Sequence, residues 1–66
     1  MSYVRVSQTI RAAYQATFQK DPPASEIHRV YGCILKRRDV PLWLTKWASE
    51  NRVSAPAGEI CRLLYL

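Results

Sequence analysis

The chain has 66 residues, 48% of them hydrophobic, and ten Lys and Arg against five Asp and Glu, a net charge of +5. That length allows a single domain, residues 1–66, and the apolar content excludes a disordered chain. The charge favours anionic partners, nucleic acid first and an acidic protein surface second.

A chain this short sits near the lower limit for folding alone, so a homodimer is one expected way to bury more surface. Cys33 and Cys61 read as reduced thiols of a cytoplasmic protein, because the first twenty residues lack the continuous apolar core of a signal peptide. No stretch approaches the roughly 18 apolar residues of a membrane span.

Pro22–Pro23, Pro41 and Pro56 punctuate the chain, and a helix-like pattern follows each. The expected fold is all-α, a small bundle of about four short helices, with the second and third forming the core. Segment one runs from about Tyr3 to Gln19. Val6, Ile10, Ala13, Tyr14 and Phe18 fall at helical spacing, and Ser2 is a candidate cap. A short strand over residues 3–6 is the competing reading.

Segment two has the cleanest stripe: Ile27, Val30, Tyr31, Ile34 and Leu35. Asp21 or Ser25 is expected to cap it, Glu26 suits its positive end, and Lys36, Arg37 and Arg38 suit its negative end. Gly32 lies mid-helix at a cost of about 1 kcal/mol relative to alanine, and a close helix crossing would explain it. Segment three is expected to start at Asp39 with Pro41 in its first turn. Its stripe is Val40, Leu44, Trp47 and Ala48, widened by Leu42 and Trp43, and Asn51 would stop it in a left-handed conformation. Segment four begins with Ser54 as cap and Pro56 just inside. Ile60, Leu63 and Leu64 form its apolar face, and the apolar end at Tyr65-Leu66 is expected to be docked.

The first candidate site is the run Lys36-Arg37-Arg38, joined by Arg29 and Lys46 if helices two and three meet at a tight corner. Half of the ten cations lie between Arg29 and Lys46, with only Asp39 opposing them there. Clustered cations gain affinity for phosphate by releasing condensed counterions. The bland reading of the same run is a solvated helix end that satisfies its dipole.

The second candidate lies in residues 47–64. Ala48, Val53-Ser54 and Ile60 stand as a small residue, a turn with a hydrophobic residue and a serine, and a branched residue in a following helix. This stretch resembles the helix-turn-helix of DNA-binding regulators. The resemblance implies that Glu59 and Arg62 would face bases in the major groove, and under a nucleic-acid-binding reading Arg52 would hold phosphate together with Lys36, Arg37 and Arg38. The stretch departs from that family at Arg52, where glycine is usual, and in an Ala48-to-Ile60 spacing about two residues longer.

Trp43 stands off the main stripe beside Lys46 and is a candidate anchor for a protein partner, since Trp and Arg are enriched at interface hot spots. The other aromatic residues read as core. His28 reads as a partly exposed polar residue. Together with two cysteines it falls short of the roughly four ligands of a structural zinc site, so no metal and no cofactor are expected. The five acids are scattered and no phosphate loop exists, so no enzyme activity is expected. Helix one has too few cations for a membrane-surface helix.

Two function classes follow. One is a small nucleic-acid-binding regulator of transcription, of the kind found among the very short basic proteins of phages and mobile elements. The other is a small interaction protein that inhibits or modulates a larger one, such as a host enzyme or a defence complex.

Overall fold

The computed structural model describes residues 3–65, the side chain of Tyr65 excepted. Its helices are α1 (Tyr3–Phe18), α2 (Ala24–Lys36), α3 (Leu42–Glu50) and α4 (Ala55–Tyr65). No strand occurs among the described residues, and residues 3–6 belong to α1. The protein is a small all-α bundle. Its radius of gyration of 10.5 Å matches the value of about 11 Å for a tightly folded chain of this length. No helix among the described residues is long and apolar enough to cross a membrane.

The expectation that α2 and α3 form the centre is corrected. α1 is central and packs against α2, α3 and α4, while α3 also packs against α4. α2 and α3 make at most a marginal contact. Length is one reason: the 16 residues of α1 extend about 24 Å, enough to back three shorter partners. The width of its buried face is another. Val6, Thr9, Ile10 and Ala13 are all buried on it. Thr9 is absent from the apolar stripe because its hydroxyl is polar. That hydroxyl donates to the carbonyl of Arg5 one turn back, at 3.1 Å, so the residue packs as a methyl group.

The rest of the core is Ile27, Val30 and Ile34 of α2, Leu44 and Ala48 of α3, and Ala57 and Ile60 of α4. Tyr31, Val40, Trp43, Trp47, Leu63 and Leu64 pack against it while partly exposed. Leu35 and Leu42 depart from their expected stripes, at 54% and 79% exposure. Leu35 stands in the last turn of α2 and Leu42 is the first residue of α3.

The starts of α2 and α3 depart from expectation because proline occupies their cap positions. Pro23 (φ −67°, ψ 153°) and Pro41 (φ −58°, ψ 140°) occupy the N-cap positions of α2 and α3, with no side-chain cap bond. Asp21, Ser25 and Asp39 therefore do not cap. Asp21 accepts a hydrogen bond from the Gln15 side chain, and Asp39 adopts a left-handed φ of 57°. Ser54 does cap α4: the Ala57 N–H donates to its Oγ at 3.4 Å, with Pro56 in the first turn. Asn51 ends α3 at φ −117°, not left-handed, because its side-chain Nδ2 donates to the Trp47 carbonyl at 2.9 Å. Ser2 as a cap and the docking of Tyr65 and Leu66 lie outside the described residues.

The close helix crossing expected at Gly32 is corrected. A Cβ on Gly32 would meet nothing within 4 Å, so no helix crosses there. A Cβ on Gly58 would lie 3.1 Å from the Arg52 carbonyl oxygen, so the close approach is between α4 and the preceding turn.

Candidate functional site

The C-terminal end of α2 is closed by its own backbone. Arg37 takes a left-handed conformation (φ 54°, ψ 39°). Its N–H donates to the Ile34 carbonyl at 3.1 Å, and the Arg38 N–H donates to the Cys33 carbonyl at 3.2 Å. This is a Schellman closure with arginine where glycine is preferred. Two carbonyls of the last turn are thereby satisfied without any cationic side chain. The helix end carries the equivalent of about half a negative charge, against three consecutive cations. None of Lys36, Arg37 and Arg38 forms an ion pair among the described residues. The dipole accounts for a small part of this charge and leaves an excess.

The left-handed turn also brings Arg38 and Asp39 back beside α2. An open groove results, lined by His28, Arg29, Gly32, Cys33, Lys36, Arg38 and Asp39. Its middle is Gly32, with no side chain. Arg29 at one end is held in place: its Nε and Nη2 donate to the two carboxylate oxygens of Glu26, each at 2.9 Å. That hydrogen bond outweighs partial burial and holds the Glu26 carboxyl below the usual carboxylate range, while raising the Arg29 guanidinium. His28 is exposed, and its ring stacks on Tyr3 with centroids 5.4 Å apart. Sequence reasoning found Arg29, Lys36 and Arg38 but not that they flank Gly32. The i−3 and i+4 spacing about an unexplained glycine was the available signal.

The single corner expected from sequence is thus divided. Lys46 lines a different groove, between α1 and α3, with Ala16, Thr17, Leu42, Trp43, Trp47 and Glu50. The separation follows from the marginal contact between α2 and α3. Trp43 is part of the core packing: its ring stands edge-on to Tyr14 and Phe18, with centroids 5.5 and 5.7 Å away. The exposed apolar side chain of this groove is Leu42.

Arg52, Glu59 and Arg62 come together with Arg5 around the turn before α4. Ala48 and Ile60 are buried, as the resemblance to helix-turn-helix regulators implies, but Val53 is 98% exposed and packs nothing in the turn. Glu59 Oε2 lies 3.4 Å from Arg5 Nε, so its carboxylate is engaged within the fold. Arg62 remains as the one exposed long polar side chain among the described side chains of α4. Among the described residues, no three His, Cys, Asp or Glu side chains gather as a metal site. A comparison of the chain with protein-family models, with curated proteins and with solved structures found no match.

Proposed function

We propose that this is a small basic nucleic-acid-binding regulatory protein of the cytoplasm that grips phosphate backbone and does not read bases. The observation that carries the reading is the run Lys36-Arg37-Arg38, which stands at a helix end whose carbonyls are already capped by backbone. Three cations with no ion-pair partner among the described residues are available to displace counterions from a polyanion. The weak α4 face argues against base reading, since it offers Arg62 alone where major-groove recognition uses several long polar side chains.

The test is a titration of labelled duplex DNA at two salt concentrations, with the wild type and with Lys36→Gln, Arg37→Gln and Arg38→Gln combined. The expected result is a steep loss of affinity with salt. In the triple variant, the slope falls by about one for each phosphate no longer neutralised, uniformly across sequences. Absence of binding at low salt, or an unchanged slope in the triple variant, overturns the reading.

A second reading, a small protein that binds and modulates a larger one, is favoured by one observation. Leu42 is 79% exposed beside Trp43 and Trp47 in the α1–α3 groove. Its probe is Leu42→Ser, because Trp43 is committed to packing.

A further inference from the structure

We infer that a nucleic-acid sugar–phosphate strand crosses α2 directly over Gly32, held between Arg29 on one side and Lys36 and Arg38 on the other. This rests on the phosphate-gripping reading above and names the place where the strand lies.

Gly32 is the starting point. Glycine inside a helix costs about 1 kcal/mol relative to alanine, and a close approach is one physical reason to accept that cost. Among the described residues there is none: a Cβ at Gly32 would stand in open space. The space it leaves is the floor of the groove lined by Arg29, Lys36 and Arg38. The position that lacks a side chain is therefore the one that cations surround, and the approach it permits is by something outside the chain.

The dimensions fit a strand. Arg29 and Lys36 are two helical turns apart on one face, about 10.5 Å along the axis. That separation leaves room for one sugar–phosphate strand to pass between the two cations. Arg29 is also pre-positioned. Of the five N–H donors of a guanidinium, two are taken by Glu26, which fixes the side chain. The remaining donors need little further ordering to meet a phosphate, and reduced ordering cost favours binding.

The chemistry of the lining separates a nucleic-acid strand from an acidic protein segment. Protein interfaces centre on buried aromatic and aliphatic anchors. This groove has no large apolar side chain: His28, Gly32 and Cys33 are its uncharged members. What it offers is charge and bare backbone, suited to a thin, regularly charged strand. Asp39 is the one acid in the lining, and its charge opposes such a ligand.

The experiment measures anisotropy of a short mixed-sequence DNA duplex and of its single strand with the wild type, Gly32→Leu, Asp39→Asn and the Lys36/Arg37/Arg38 glutamine triple. Labelled polyglutamate serves as a second polyanion, and thermal melting follows every variant. Leucine is a good helix former and a Cβ at position 32 meets no neighbour, so Gly32→Leu is expected to fold at least as stably as the wild type. It is expected to weaken DNA binding about tenfold, as removal of one charge-assisted hydrogen bond would. Asp39→Asn keeps a residue that tolerates left-handed backbone and is expected to tighten binding about twofold. If the wild type and the triple variant behave as proposed above while Gly32→Leu binds DNA like the wild type, the strand does not cross here, and phosphate gripping stands without it. If the wild type binds no DNA at low salt, both readings fall. If Gly32→Leu weakens polyglutamate as much as DNA, the groove takes acidic protein and the inference is overturned.

Discussion

Arg5 Nε lies 3.4 Å from Glu59 Oε2, an ion pair that joins the first helix to the last. The Arg5 side chain is 70% exposed, so the pair is screened and of modest strength. Its functional meaning is larger than its energy, because it engages one of the two side chains with which α4 would face bases. Glu59→Gln is expected to lower stability by less than about 1 kcal/mol and to leave the preference among DNA sequences unchanged. Urea melts and binding to a set of unrelated duplexes check both parts. A changed sequence preference would restore α4 as a reading helix.

Ile10 and Val53 are both branched apolar residues, one fully buried in the central helix and one 98% exposed in the α3–α4 turn. Ile10→Ala is expected to cost about 2–5 kcal/mol, much of the stability of so small a domain. Val53→Ser is expected to stay within about 0.5 kcal/mol of the wild type. A large loss on Val53→Ser in chemical denaturation would mean that the turn is packed as in helix-turn-helix proteins.

The same substitution at the two glycines is expected to give different results. Gly32→Ala should gain about 1 kcal/mol, since helix propensity improves and nothing is displaced. Gly58→Ala should fall short of that gain, because its new methyl group presses on the Arg52 carbonyl. Thermal melts rank the two, and Gly58→Ala equal to or above Gly32→Ala would contradict the turn geometry.

Arg37 holds a left-handed conformation that glycine adopts at no steric cost. Arg37→Gly is expected to stabilise the fold by about 1 kcal/mol and to weaken DNA binding at low salt. Melting and anisotropy on one sample should therefore move in opposite directions. Movement in the same direction would show that the residue is not where strain is accepted for a binding charge.

The Glu26 carboxyl is held below its ordinary value of 4.5, chiefly by the hydrogen bond from Arg29. A depressed native value means that the unfolded chain takes up this proton first as pH falls. The stabilisation is complete above the ordinary value and is lost as acid titrates Glu26 through its lowered one. The stability difference between wild type and Glu26→Gln is expected at neutral pH and should close in strong acid. A difference that persists there would show that the pair acts through something other than charge.

Trp43→Ala is expected to lower stability by about 2 kcal/mol, because the ring packs edge-on against Tyr14 and Phe18. Leu42→Ser, at an exposed position, is expected to leave the melt unchanged. A partner that no longer binds Leu42→Ser while the fold is intact would favour the interaction-protein reading.

The four helices, and which face of each is apolar, are legible in the residues alone. Val6, Ile10 and Ala13, then Ile27, Val30 and Ile34, then Leu44 and Ala48, then Ile60 all stand at helical spacing and all are buried. That information is local, since the period of one helix is written in its own residues. The cap at Ser54 was legible for the same reason. The central place of α1 is not legible there, because which stripes meet depends on how short connections aim the helices. That geometry separated Lys46 from Lys36 and paired Glu59 with Arg5 across the chain. It also gave Gly32 open space and Gly58 the close contact. Each of these is a relation between distant residues, and hydrophobic periodicity records only that a face is buried, not against what.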